Sequence, residues 1–160
     1  MSKNVSINVY NLRSRKTNNC LEIFGIGLYH TGVVIDNNEY AFGISEDENE
    51  QDGIYSIKPA TFNNDWKCNL LVCQIYLNDF EIDCILSKFR HEYYANEYDL
   101  IYNNCNHFTK RICKELCNYD LPRWINRAAR VGRRLNFCCC NKKKNNDYDT
   151  LNPKEKKKKN

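Results

Sequence analysis

The segment from Gly25 to Gly43, GIGLYHTGVVIDNNEYAFG, decides the fold. It holds two runs of β-branched and aromatic residues on either side of a short polar stretch, Asp36 to Asn38, which is typical of two strands joined by a turn. Asn tolerates the positive φ that tight hairpin turns require. The sequence therefore predicts that residues 30–35 pair with residues 39–44.

Similar runs lie on both sides of this hairpin, and a different period follows them. VSINVY, GIYSI and CNLLVCQIYL, at residues 5–10, 53–57 and 68–77, predict three more strands. From residue 82 to residue 93 apolar residues recur at every third or fourth position, after Asn78 and Glu81 in capping-box spacing. This pattern predicts a helix.

Two further helices are predicted toward the end of the chain. One would follow Asn103 or Asn104, since either is a good N-cap. The other would run from Pro122 to Gly132, because Pro is common at the start of helices and Gly just after their end. Strands followed by helices favour an α+β fold, in which an antiparallel sheet packs on helices.

The charge of the chain is concentrated at its end. The 160 residues, 42% of them hydrophobic, predict a single domain. Residues 141–160 hold eight Lys and three acidic residues, whereas residues 1–120 sum to −6. A body without positive excess argues against nucleic acid as a partner. We predict a folded domain at residues 1–140 and a disordered Lys-rich tail at residues 141–160.

The chain has no apolar run near the roughly 20 residues that cross a bilayer, and its first residues lack the apolar region of a secretory signal. We therefore expect a soluble protein of the cytoplasm, with the nucleus as a second location. Its ten cysteines would then be reduced and serve as packing residues, metal ligands or nucleophiles more often than in disulfides.

Cys105 is the strongest candidate for a nucleophile. An N-cap just before it would place it in the first turn of a helix, where free backbone N–H groups and the helix dipole favour a thiolate. Such positions can lower the pKa of a thiol from about 8.5 to roughly 3.5–7.5. From spacing alone, a half-buried packing cysteine and a metal ligand remain alternatives.

A nucleophilic cysteine needs a base, and the chain has three histidines. His107 is two residues from Cys105, about 200° around a helix, so the two side chains should point apart. His91 should lie at the exposed end of its helix. His30 begins a strand, and a His on a strand can reach a Cys at a helix N-terminus. A core histidine is the alternative for His30.

The segments GLYHTGV and YNNCNHF, with LPRWINRAARVGRRL after them, closely resemble the PPPDE family of desumoylating isopeptidases over about residues 4–135. The resemblance implies a circularly permuted papain-like fold, with Cys105 as nucleophile, His30 as general base, and no cofactor or metal. No third catalytic residue follows from the resemblance. Ser45, roughly opposite His30 in the predicted hairpin, is our candidate.

The resemblance further implies a cysteine isopeptidase. It would hydrolyse the bond between a ubiquitin-like modifier, SUMO or ubiquitin, and a substrate lysine through a thioester, so that its partners are modifier conjugates. Two alternatives stay open: an S-acyl thioesterase with the same Cys-His pair, and a non-catalytic interaction module. An apolar groove beside Cys105 would favour the acyl substrate, and a narrow channel leading to a broad docking surface would favour the modifier.

Other cysteines suggest weaker hypotheses. Cys113 and Cys117, with Cys138, Cys139 and Cys140 downstream, would be candidates for a zinc site, but no CxxC pair is present and packing is the more frequent role. The run CCCNKKK combines acylatable thiols with a basic run, a two-signal pattern for peripheral membrane contact through these three cysteines and the Lys-rich tail. A plain solvated tail is the alternative.

Overall fold

The protein is built on one five-stranded antiparallel sheet of strand order β4-β3-β2-β1-β5. The structure is a computed structural model and describes residues 2–23, 25–44, 52–61 and 65–135. Four helices and a short 3-10 helix complete the described part of the chain. The elements are β1 (Lys3–Asn11), α1 (Arg15–Ile23), β2 (Tyr29–Ile35), β3 (Asn38–Phe42), β4 (Ile54–Ile57), β5 (Trp66–Ile75), α2 (Asp79–Arg90), the 3-10 helix (Ala95–Glu97), α3 (Cys105–Cys117) and α4 (residues 127–135).

The predicted α+β fold and its central hairpin are confirmed. β2 pairs with β3 in antiparallel register, with Val33 opposite Tyr40. The turn residue with positive φ is Asp36, at 51°, rather than an Asn. α2 begins after Asn78, whose side chain forms the predicted capping box with Glu81.

One helix was missed, and the start of another was predicted wrongly. α1 was missed because it has no apolar stripe of helical period; instead its buried Asn18 bonds the Asn11 side chain and the Leu28 N–H. α4 begins at residue 127 rather than at Pro122. Gly132, which we predicted to end this helix, lies inside α4. A Cβ there would be only 3.3 Å from the Ile101 side chain, so the glycine permits close packing of α4 against Ile101.

The main core lies between one face of the sheet and helices α2 and α3. Val5, Ile7 and Val9 of β1 are fully buried and belong to the same apolar cluster as Phe108 and Ile112 of α3. Alternate residues of a strand point to the same face, so β1 presents every second side chain to the helices. This packing fixes α3 beneath the centre of the sheet.

β2 is only partly paired on its β3 side. Its second half, Val33 to Ile35, pairs with β3, whereas its first half, Tyr29 to Gly32, pairs only with β1. Thr31 in that first half donates a hydrogen bond from Oγ1 to Asn106 Oδ1 (2.8 Å). The open edge of β2 is therefore where the start of α3 is attached.

The expectation that all cysteines are reduced is not met. A disulfide joins Cys73 of β5 to Cys117 at the end of α3, with Cα atoms 6.2 Å apart. Our expectation came from the cellular compartment alone, whereas a disulfide depends on the distance between two cysteines in the folded chain. Cys117 is thereby removed from the candidate zinc ligands. Among the described residues no group of three His, Cys, Asp or Glu side chains could hold a metal ion.

Several predictions fall on residues that the structure does not describe. These are Ser45, the cysteines 138–140 and the tail at residues 141–160. In the described ranges no helix is both long and apolar enough to span a bilayer.

Candidate active site

Cys105 is the first residue of α3, and Asn104 is the N-cap. Asn104 Oδ1 accepts a hydrogen bond from the His107 N–H (3.1 Å), and His107 Nδ1 accepts one from the Asn104 N–H (3.1 Å). This is a capping box in which His replaces the usual Glu or Gln. The predicted N-cap is confirmed, and the spacing of Asn104 and His107 was a usable signal that the sequence analysis missed.

The His107 side chain is directed toward α4. Its Nε2 lies 3.1 Å from the Asn126 amide nitrogen and 3.0 Å from the Arg133 guanidinium. Burial, and then the positive charge of Arg133, lower the pKa of His107. His107 thus links the start of α3 to α4.

The thiol of Cys105 is in a different state from the one we predicted. Only 1% of Cys105 is exposed, and this burial raises the pKa of its thiol. The backbone N–H groups of Thr31 and Asn106 and the Tyr98 hydroxyl, 3.9 Å from the sulfur, oppose the rise because each can donate to a thiolate. The prediction of a lowered pKa was wrong, because desolvation of the sulfur outweighs the donors of the first helical turn.

His30 is the second residue of β2, opposite Tyr10 of β1. Burial lowers the pKa of its imidazole to about 4, so His30 is neutral at physiological pH and can accept a proton. Its Nε2 lies 3.4 Å from the Tyr55 hydroxyl oxygen. Burial, and then the nearby Cys105 and Glu39, raise the pKa of Tyr55 to about 12, so this hydroxyl keeps its proton.

The open edge of β2 brings Cys105 close to the segment that carries His30. The backbone of Thr31, which directly follows His30 in the chain, is near enough to the Cys105 sulfur to oppose the rise of its pKa. Cys105 lines a cavity of about 440 Å³, and His30 lines a second cavity of about 230 Å³. Leu12 borders both cavities, so the two side chains open into neighbouring clefts on either side of Leu12.

The larger cavity is lined mainly by apolar side chains, from the start of β2, the segment before α3, and α4. The small residues Ala129 and Gly132 of α4 leave the space open. Asn104 and Asn106 supply amides beside Cys105. Its apolar wall includes Leu12, Leu28, Tyr98, Leu100, Ile101 and Ile125.

The remaining predicted residues are not brought to this site. His91 is the exposed C-cap of α2, as expected. Ser45 lies outside the described residues. The sequence analysis missed Tyr55, which contacts His30, and Tyr98, which contacts Cys105. Each pair belongs to different parts of the fold, and residue spacing in the sequence does not predict such contacts.

Three comparisons with known proteins bear on this site. The family model described as "PPPDE putative peptidase domain" matches residues 3–146. A DeSI-like protein of Arabidopsis thaliana is 35% identical over 137 residues, covering 85% of this chain and 58% of the relative. A DeSI-like protein of Schizosaccharomyces pombe is 34% identical over 131 residues, covering 80% and 65%.

A third relative carries an activity in its name. The desumoylating isopeptidase 1 homolog of Caenorhabditis elegans is 27% identical over 140 residues, which is 83% of this chain and 40% of that protein. The chain therefore spans between 40% and 65% of the length of these curated relatives.

Proposed function

Since the chain belongs to the PPPDE peptidase family, we propose that it is a cysteine isopeptidase that cleaves a ubiquitin-like modifier from a substrate lysine. The name of the Caenorhabditis elegans relative supports SUMO conjugates as substrates, with ubiquitin conjugates as the alternative. The observation that carries the proposal is the position of Cys105, at the start of α3 and in the wall of a cavity.

In the proposed reaction Cys105 is the nucleophile and His30 the general base. His30 takes the thiol proton as the sulfur attacks the isopeptide carbonyl, and the Cys105 N–H binds the oxyanion. Protonated His30 then gives its proton to the leaving lysine amine, which leaves a thioester on Cys105. Water, activated by the same imidazole, hydrolyses the thioester and frees the modifier.

The electrostatics of the site favour proton transfer during the attack. Burial disfavours both the Cys105 thiolate and the His30 imidazolium, so the resting pair is neutral. The Thr31 N–H and the Tyr98 hydroxyl are already in position to stabilise charge on the sulfur as it develops. Charge would therefore form only as the substrate reacts.

The approach to Cys105 suits an extended, small-residue peptide such as the Gly-Gly tail of a modifier. Gly27 forms part of the cavity wall, and a Cβ at this position would lie 2.2 Å from the Tyr29 hydroxyl. Leu12 and Leu100, which line the same cavity, are 48% and 68% exposed. They would contact the body of a modifier at the mouth of the cavity.

One observation favours a second function, S-acyl thioesterase. The wall of the larger cavity beside Cys105 is mostly apolar, with Leu28, Ile101 and Ile125 among its residues. Such a wall would also hold a fatty acyl chain, because burying apolar chain in it removes that surface from water. The same Cys-His pair would hydrolyse a protein thioester.

A panel of electrophilic probes tests both functions. The protein is incubated with SUMO and ubiquitin bearing a C-terminal propargylamide and with a palmitoyl chloromethyl ketone, and labelling is mapped by mass spectrometry. We expect a modifier probe to label Cys105, with labelling lost in Cys105→Ala. Cys113→Ala, a change at the other free buried cysteine of α3, is the matched control and should still be labelled at Cys105.

The outcomes separate the candidates. Labelling by the palmitoyl probe alone would favour the thioesterase. Absence of labelling at Cys105 by all three probes would contradict both enzymatic functions and favour the interaction module.

A further inference from the structure

A buried carboxylate lies on the same face of the sheet as His30. Glu39 of β3 is fully buried and pairs with Val34 of β2. Since alternate residues of a strand share a face, Glu39, Val34 and His30 point to one side, as does Tyr10 opposite His30. Thr31 points to the other side, toward α3. Glu39 therefore approaches His30 from the side away from α3.

Most of the hydrogen bonds of Glu39 are made by one oxygen. Oε2 accepts from the Asn8 side-chain amide (2.7 Å), the Tyr10 hydroxyl (2.7 Å) and the Ala60 N–H (3.1 Å). Oε1 is buried and has no hydrogen-bond partner among the described residues. Burying a carboxylate costs free energy even when it is bonded, so a residue kept in this position calls for an explanation other than packing.

Gly32 makes room for this carboxylate. A Cβ at Gly32 would lie 2.3 Å from Glu39 Oε1. Gly32 follows His30 by two residues on the same face, about 6–7 Å along the strand. Glu39 Oε1 thus lies over Gly32, the next residue after His30 on this face of β2. An apolar residue at 39 and a larger one at 32 would fill the same space without a buried charge.

Tyr10 connects Glu39 to His30. Its hydroxyl donates to Glu39, and its ring lies beside the imidazole, with centroids 6.0 Å apart and planes tilted by 35°. Burial, and then the bond to Glu39, raise the pKa of Tyr10 well above its ordinary value, so the hydroxyl remains a donor. With the Tyr55 hydroxyl near Nε2, the imidazole lies between two phenols, one of them fixed by Glu39.

We propose that Glu39 is a positioning residue for His30: its carboxylate holds the Tyr10 ring against the imidazole while His30 takes the Cys105 proton. The inference rests on the proposed Cys105–His30 pair. The proton leaves the sulfur, resides on the imidazole and passes to the leaving amine.

Few other titratable groups face His30 in the described part of the chain. Tyr10, Tyr55 and Asp65 line the cavity with it, and Cys105 lies beyond Thr31. Asp65 is exposed, so water screens its charge. The charge of Glu39 is not screened in this way, because its carboxylate is buried. Glu39 is the carboxylate that acts on both phenols beside the imidazole, since, after burial, it raises the pKa of Tyr10 and of Tyr55.

The test compares Glu39→Gln and Tyr10→Phe with the full-length protein. The first removes the charge with little change of shape, and the second removes only the hydroxyl. We expect each to slow carbamidomethylation of Cys105 by iodoacetamide at neutral pH, and to lower kcat on SUMO–aminomethylcoumarin, by about 10- to 100-fold, with KM unchanged. Tyr40→Phe is the matched control, because it also removes one phenol hydroxyl, from the residue next to Glu39 on β3, whose side chain points to the other face of the sheet.

The control should leave both rates within about threefold of the parent. If Glu39 acts through Tyr10, the double variant should be no slower than the slower single variant. Unchanged rates in folded Tyr10→Phe, additive losses, or an equal loss in Tyr40→Phe would each overturn the inference. If Glu39→Gln does not fold, Tyr10→Phe still decides it. Retained turnover in Cys105→Ala would instead reject the proposed function itself.

Discussion

Cys105 and His30 are predicted to rest as a neutral thiol and a neutral imidazole. Burial lowers the pKa of His30 to about 4 and raises that of Cys105 above its ordinary value, which is about 8.5. Moving the proton from sulfur to imidazole therefore costs at least about 6 kcal/mol. Opposite unit charges 4 Å apart would recover only about 4 kcal/mol at an effective dielectric constant of 20. The neutral pair is thus favoured by about 2 kcal/mol or more.

The pH dependence of alkylation measures this balance. The rate at which iodoacetamide modifies Cys105 is followed by mass spectrometry from about pH 5 to about pH 10. We expect the rate to rise about tenfold per pH unit up to and beyond about pH 8.5, without a plateau on the acid side. This reverses the expectation from sequence alone, which is rapid alkylation at acid pH.

Two comparisons make the experiment specific. Cys113 lies on the same helix and is fully buried, whereas Cys105 lines the larger cavity, so Cys113 should react more slowly than Cys105 throughout. His30→Ala should change the rate but keep the shape of the profile. A plateau below about pH 7 that disappears in His30→Ala would show a resting ion pair and refute the reasoning.

Three further predictions concern the rest of the molecule. His107→Ala should lower the melting temperature by removing the side-chain half of the capping box and the contacts with Asn126 and Arg133, about 1 kcal/mol. It should retain most turnover because the His107 side chain faces α4; a loss equal to that of His30→Ala would contradict this. Replacing Cys73 by Ser, which breaks its bond to Cys117, should lower the free energy of unfolding by about 2–4 kcal/mol in denaturant titrations without slowing Cys105; an unchanged midpoint would argue against the disulfide. If cysteines 138–140 are acylated, changing all three to Ser should move the protein from the membrane to the soluble fraction on cell fractionation, and an unchanged partition would reject membrane attachment through them.

The parts of the fold that the sequence predicted correctly depend on local signals. Asp36 to Asn38 mark a turn and Asn104 marks a helix start because a few neighbouring residues suffice to satisfy the backbone there. α1 lacks such a signal. It depends on Asn18, which bonds β1 and the segment before β2, and these partners are identified only after the chain has folded.

For the candidate site, too, the sequence predicted correctly only what local signals determine. The position of Cys105 in the first turn of α3 follows from the N-cap, but the direction of its pKa shift depends on what surrounds the sulfur. Burial by distant segments outweighs the local donors. For His30, the sequence predicts a strand, whereas its neighbours Tyr10 and Tyr55 belong to β1 and β4. Sequence patterns therefore did not predict the contacts between residues of different strands and helices.

The partial pairing of β2 explains how the proposed reaction would bring its two groups together. α3 and Thr31 lie on one side of the strand, and Tyr10 and His30 lie on the other. The β2–β3 register covers Val33 to Ile35 and does not extend to His30. A scissile carbonyl beside the start of β2 would therefore meet the Cys105 sulfur from the α3 side and the imidazole from the opposite side. The end of this ladder at Val33 is thus the structural condition for a nucleophile and a base on opposite faces of one sheet.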